Sequence, residues 1–296
     1  MLCLQSVTNK ELSGEMMAEN LEDAHFYLDN APPTEVSNVL RVLSLGHDLT
    51  LKEISVTLRD IYGFLMQKDL TYSPRRLYDL GLATQIRRGS TVTYRLAEMG
   101  SLVQNILSID PPFAMDLMHY LHYSGYKGDP VQRKYLWSYR RCCEIVWGNM
   151  SVISPTELAS AILGEMRDKF ELNYEKKIGA RFNDKAVGQV YSWLRSLEPS
   201  PIKKGISSVF PRTVDRYELA LLALDDTYQT RQYTYGDPVI MDDNFIKQVS
   251  GVFMLDSQCC KELLQIGSRL NQSLKISETL SGPAISLMKP FKIDNI

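Results

Sequence analysis

The chain has 296 residues, 44% of them hydrophobic and 23% charged, with a formal net charge of −2 and a pI near 6.1. That length allows two or three compact units with buried cores, and the near-neutral balance excludes a global positive field for nucleic acid, so such binding has to rest on local patches. No apolar run approaches the roughly 20 residues that span a bilayer; neither a signal peptide nor a disulfide framework is recognisable, Cys3, Cys142-Cys143 and Cys259-Cys260 being odd in number and vicinal, so the expectation is a reducing cytoplasm and no membrane partner.

Residues 1–33 set one lysine, Lys10, against six acids, a net −5, and close on the breaker Pro32-Pro33. They read as an acidic arm, part helical or part disordered. Thr34 is a candidate N-cap for a helix in which Val36, Val39, Leu40, Val42 and Leu43 recur at helical spacing, with Gly46 as its C-cap. A second helix starts near Thr50, with Leu51, Ile54 and Ile61 facing inward and Leu58 a further candidate. The connection that follows, IYGFLMQKDLTY, is longer than an ordinary helix-turn-helix turn.

Residues 73–96 read SPRRLYDLGLATQIRRGSTVTYRL. Ser73 caps a short helix with Pro74 at its first position, Leu77 and Leu80 fall on one side, and Gly81 ends it. Two strand-like runs, Ala83 to Arg87 and Thr91 to Leu96, are joined through Arg88-Gly89-Ser90 as a hairpin. Three helices followed by a hairpin predict a winged helix over 34–108.

Helix then continues from Glu98 to Leu107, and Asp110-Pro111-Pro112 opens a new unit. An aromatic-rich helix runs to about Gly125, another from Val131 to Trp147, and SPTE at 154–157 is a capping box for a helix to about Phe170. Asn183 caps a helix whose buried stripe is Ala186, Val187, Val190, Trp193 and Leu194. PSPIKKGISSVFPRT follows in the place of a second wing, so 109–216 is expected to hold a second winged-helix-like domain. From 217 to 296 the pattern predicts a helical region with short strands, including a strand-like VFML.

The string GVFMLD, the leucine-rich helix after it and the ending LKISETLSGPAISL resemble the C-terminal part of a prokaryotic family of unknown function with winged-helix features. SIDPPFAMDLMHYL and DKAVGQVYSWL resemble its middle. The resemblance covers most of residues 35–290; the chain departs from it at the start, where the family's aromatic and histidine-containing opening is missing. Genes of that family often lie in DNA-modification loci, including those of the phosphorothioation type, and in phage-defence loci. The resemblance therefore implies a DNA-facing or regulatory accessory protein, and it carries across no catalytic residue.

Between residues 68 and 90, Lys68, Arg75, Arg76, Arg87 and Arg88 oppose Asp69 and Asp79, a net +3. On a winged helix Arg75 points outward and Arg76 flanks it, placed to bond guanine or phosphate, Ser73 offers a phosphate ligand at the helix start, and Arg87 and Arg88 on the wing suit the backbone. The competing reading pairs Arg75 with Asp79 across one turn. In the second unit Lys185, Gln189, Ser192 and Arg195 lie along the outer part of a helix, and Lys203, Lys204, Arg212 and Arg216 stand near the expected wing. Arg133, Lys134, Arg140 and Arg141 share a face with Trp137, as a base-stacking site or as basic side chains packed over the ring.

Asp116, His119 and His122 recur every three residues, compatible with a metal patch but without a further ligand cluster, and read as surface or packing groups. Asp225-Asp226 and Asp242-Asp243 lack the strand-borne acid and lysine context of a nuclease and read as solvated turn residues. No phosphate loop, dinucleotide fingerprint or nucleophile elbow is present.

The expectation is thus a mainly α chain with small β hairpins (α+β): tandem winged helix-turn-helix-like domains plus a helical C-terminal region. It is a non-enzymatic protein without cofactor or metal. It contacts double-stranded DNA through Ser73, Arg75, Arg76, Arg87, Arg88, Lys185, Gln189, Lys203 and Lys204, as a transcription regulator or as an accessory of an antiviral defence or DNA-modification system. The alternative is a non-catalytic scaffold whose winged helices bind protein subunits of a defence complex.

Overall fold

The computed structural model describes residues 28–63, 72–126, 134–170 and 182–296. Nearly all of the acidic arm, Lys68, Asp69 and Arg133 therefore lie outside the described residues. Among the described residues the chain is mainly helical with two small antiparallel sheets.

The first unit begins with α1 (Pro33–Leu43), which follows Pro32 directly. Thr34 is thus inside the helix and caps nothing, and Ser44 takes the C-cap position ahead of Gly46. Strand β1 (Leu49–Thr50) runs into α2 (Leu51–Tyr62). The Thr50 side chain accepts from the Glu53 amide while the Glu53 carboxylate accepts from the Thr50 amide. These reciprocal bonds satisfy orphan donors of the first turn and fix where the helix starts. Ile54 and Leu58 are the buried residues of α2, whereas Ile61 is exposed, contrary to its expected inward position. Helix α3 (Tyr72–Asp79) and strands β2 (Ala83–Arg88) and β3 (Thr91–Leu96) complete the unit. Arg88 pairs with Thr91, so the turn is the two residues Gly89-Ser90, with Gly89 at φ +60°. Leu49 pairs with Tyr94, giving the sheet order β1-β3-β2.

Helix α4 (Glu98–Ile109) then crosses the start of the hairpin so closely that a Cβ on Gly100 would stand 1.9 Å from the Leu82 carbonyl oxygen. Only glycine fits there. The middle layer consists of α5 (Pro111–Ser124), α6 (Lys134–Asn149), α7 (Pro155–Phe170) and α8 (Asp184–Arg195). Asp110 caps α5, and Asn183 caps α8 through the amides of Lys185 and Ala186.

The segment 199–213, expected to be a second wing, forms no hairpin. It carries only isolated bridges, Ser151 with Ser208 and Arg212 with Leu255. Pro199, Pro201 and Pro211 have no amide hydrogen to donate, which prevents a continuous ladder. The second hairpin lies instead near the C-terminus. Helix α9 (Tyr217–Arg231), strand β4 (Val239–Ile240), helices α10 (Asp243–Gly251) and α11 (Ser257–Leu270) and strands β5 (Leu274–Thr279) and β6 (Gly282–Leu287) follow in order. Their sheet order, β4-β6-β5, repeats that of the first unit element for element. The expected VFML strand is a turn, held by the Leu255 amide donating to the Ser250 carbonyl. Helix α9 is buried from Leu219 through Tyr228 and packs against α5, α10 and α11. It joins the second unit to the middle layer.

Candidate nucleic-acid interface and the buried polar centre

The first hairpin projects an open basic edge. Arg87 and Arg88 are exposed, and Arg75 is exposed on α3. Arg95 on β3 donates to Asp48 at 2.6 Å, and Arg88 Nη2 lies 3.8 Å from the same carboxylate. That hydrogen bond from Arg95, assisted by both positive charges, holds the Asp48 carboxyl below its ordinary pKa. One acid therefore faces two arginines, and Arg87 has no ion pair among the described residues.

Two residues of the expected DNA surface are not on it. Ser73 is fully buried and donates its hydroxyl to the Glu35 carboxylate on α1. Arg76 is 2% exposed, with its guanidinium 4.2 Å from the centroid of the Tyr135 ring on α6. Along α3 and the residue that follows it, the buried Ser73, Arg76, Leu77 and Leu80 fall on an i, i+3, i+4, i+7 stripe. Arg76 occupies the centre of that stripe and so faces the middle layer, where the arginine stem packs as an apolar chain does. Burial raises the Glu35 pKa, against the hydrogen bond from Ser73.

The second expected patch is dispersed. Lys185 is exposed on α8, and Lys203 and Lys204 are exposed on the loop after it, the Lys203 ammonium 4.8 Å from the Phe210 ring centroid. Gln189 is half-buried and its Oε1 is buried without a hydrogen bond. Arg212 and Arg216 leave the patch altogether. Arg216 pairs with Asp110 and sits over Phe113, and Arg212 is wholly buried.

Sequence reasoning missed Arg212 as a structural centre. Its guanidinium donates to both oxygens of Asp116 and to the carbonyls of Pro199, Glu198 and Phe253. No local signal marks it, because every acceptor is remote in sequence. Asp116 is thereby an ion-pair partner, and His119 and His122 are fully buried beside it on the same helix. The His119 ring bonds the Tyr139 hydroxyl at 2.7 Å and the Val252 carbonyl at 2.8 Å, and burial lowers its pKa to about 4. His122 bonds the Met118 carbonyl, packs with its ring tilted against Trp193 at a centroid distance of 4.3 Å and is held well below its ordinary pKa by burial.

The acid pairs are also reassigned. Asp225 and Asp226 are buried within α9, not solvated at a turn. Asp225 accepts from Tyr235 and from the Phe291 amide, and Asp226 pairs with Arg140. Asp242 caps α10, and the exposed Asp243 pairs with Lys261. Arg140 and Arg141 bond Glu144, Asp226 and Glu165, and Trp137 is buried edge-on to Phe170. Arg140 and Arg141 thus form an ion-pair network, and Trp137 is a packed ring and not a base-stacking platform. Cys142, Cys143, Cys259 and Cys260 are buried free thiols, and burial raises Cys143 well above its ordinary pKa and Cys260 to about 12. Among the described residues no group of three or more His, Cys, Asp or Glu is placed to hold a metal ion, and no helix is long and apolar enough to cross a membrane.

Comparison with protein-family models, with curated proteins and with solved structures gives no match to this chain.

Proposed function

We propose that the chain is a non-enzymatic DNA-binding protein in which residues 33–96 form a winged helix whose wing contacts the phosphate backbone. The observation that carries this reading is the pairing of topology with charge: helix, strand, two helices and a hairpin in the sheet order β1-β3-β2, with Arg87 and Arg88 exposed on the hairpin and Arg75 on α3. Burial of Ser73 and Arg76 leaves α3 little surface for base edges, so backbone contact dominates. Lys185, Lys203 and Lys204 are supplementary phosphate ligands.

The second unit has the same order of elements and a different surface. Its hairpin offers Lys275 against Glu278 and carries Leu280 fully exposed at the turn, while α11 exposes Ile266 and Leu270. That apolar face favours protein contact, so the chain is read as an adaptor: DNA on the first unit, a protein subunit on the second. A place in a prokaryotic defence or DNA-modification system, or in transcription regulation, belongs to the same reading.

Mobility-shift titration of the full chain with a random duplex at several salt concentrations tests it. Binding at low salt that weakens as salt rises supports DNA contact, and no binding at low salt overturns it.

A further inference from the structure

The basic edge of the first unit carries more positive charge than its own acids neutralise. Arg75, Arg87, Arg88 and Arg95 are exposed on it, and α3 packs against β2. Asp48 serves two of them, Arg95 at 2.6 Å and Arg88 at 3.8 Å. Arg75 and Arg87 make no ion pair among the described residues. A carboxylate therefore fits this edge, and the remaining positive charge attracts further ones.

The chain holds such acids upstream. Residues 1–27, which lie outside the described residues, set Lys10 against Glu11, Glu15, Glu19, Glu22 and Asp23, a net −4. The point at which this segment joins the fold is fixed beside α3. Leu28 and Ala31 are buried, α1 starts at Pro33, and in its first turn Glu35 accepts from Ser73, two residues before Arg75. Glu22 precedes Leu28 by six residues and Glu11 by seventeen, about 20 and 60 Å of fully extended chain. A unit of about 65 residues has a radius of gyration of only about 11 Å, so each acid can reach the edge.

We propose that the segment 1–27 lies across this edge as a built-in competitor for DNA, with its carboxylates on Arg75, Arg87 and Arg88. Single exposed ion pairs are weak and are screened by salt. Tethering offsets that weakness, because it gives the acids an effective concentration on the order of millimolar at the edge. Duplex phosphates, at higher charge density, displace the segment, so DNA has to outcompete it before the wing engages. The competition rests on the reading of the wing as a DNA contact; the contact itself does not.

Zero-length cross-linking of the full chain tests the contact without DNA. A carbodiimide joins a lysine amine to a carboxylate only where the two touch, so Arg87→Lys/Arg88→Lys, at exposed positions, is treated in dilute solution and the links are mapped by mass spectrometry. The expected result is amide links from position 87 or 88 to Glu11, Glu15, Glu19, Glu22 or Asp23, with Asp48 as the internal reference. Absence of any link to residues 1–27 overturns the proposal. Duplex affinity tests the competition. Replacing the four glutamates by glutamine and Asp23 by asparagine should raise affinity about threefold or more at about 50 mM salt, and by less at about 200 mM, where the contact is screened. The gain should shrink in the Arg87→Ala/Arg88→Ala background; a gain of full size there marks general repulsion and overturns the proposal. Cross-links without duplex binding keep the contact and overturn the DNA reading instead.

Discussion

Arg212 meets Asp116 two-on-two, Nη1 to Oδ1 at 2.7 Å and Nη2 to Oδ2 at 3.0 Å, with both side chains buried. Its remaining donors reach the Pro199 carbonyl at 2.9 Å, the Glu198 carbonyl at 2.9 Å and the Phe253 carbonyl at 3.2 Å. The guanidinium thus has every N–H used, and it fastens α5, the irregular 198–212 loop and the turn between α10 and α11 at one point. A buried ion pair adds little over an apolar replacement, but breaking one side of it is costly. Asp116→Asn is therefore expected to lower stability by about 3–5 kcal/mol in urea unfolding. Arg212→Lys loses nearly as much, because an ammonium has three donors and no planar fork. A loss below about 1 kcal/mol for Asp116→Asn contradicts this role.

Arg76 is the opposite case. It is buried, its Nε and Nη1 make no hydrogen bond, and its described contact is the face of Tyr135. A desolvated cation–π contact is worth about 2 kcal/mol, whereas burying an unpaired cation costs several. Desolvation wins, so Arg76→Met is expected to leave stability unchanged or to raise it. A loss above about 1 kcal/mol on thermal or urea unfolding counts against that balance.

Ser73 separates structure from binding. Ser73→Ala removes the donor to buried Glu35 and is expected to cost about 1–3 kcal/mol of stability. Duplex affinity and its salt dependence stay as they are. Weaker DNA binding in a folded Ser73→Ala protein would return this residue to the interface.

The buried histidines make the fold acid-sensitive. Folded His119 titrates near 4 and His122 well below its ordinary value, whereas both return to about 6.5 when unfolded. Between those limits the unfolded chain binds more protons, so stability is full above about pH 6.5 and falls as the pH drops toward 4, by at most about 1.4 kcal/mol per pH unit for each histidine. Glu35, raised by burial, acts in the other sense, adding stability in acid that is lost above the ordinary carboxylate range. His122→Phe isolates the effect. It keeps a ring against Trp193, and its unfolding free energy should fall less steeply between pH 6.5 and 5 than that of the unaltered chain; identical pH profiles contradict the assignment.

Some local devices were legible in the sequence: Ser154 with Glu157, Asn183 ahead of Ala186, and the Gly89 turn between two strands all act within a few residues. The second unit was misplaced because PSPIKKGISSVFPRT has turn residues where a wing was expected, while LKISETLSGPAISL carried the actual hairpin. Its alternation, Leu274 inward, Lys275 outward and Ile276 half-buried, was there to be read. Orientation of the charged residues was not. Arg76 and Arg75 are adjacent and equally polar; Arg76 falls on the stripe of Ser73, Leu77 and Leu80, and the ring it meets there, Tyr135, is on another element. Arg212 is likewise defined by acceptors at 116, 198, 199 and 253, none of which local periodicity can signal.

The central claim, that the first hairpin contacts the DNA backbone, is tested most directly by the salt dependence of duplex binding in the unaltered protein and in Arg87→Ala/Arg88→Ala. Each phosphate contact contributes about −0.9 to the slope of log affinity against log salt. Fluorescence anisotropy with a random duplex between about 50 and 200 mM salt should give a straight line for the unaltered chain and a slope shallower by about 2 for the double variant, with similar loss across sequences. Identical slopes and affinities in the two proteins would contradict the account.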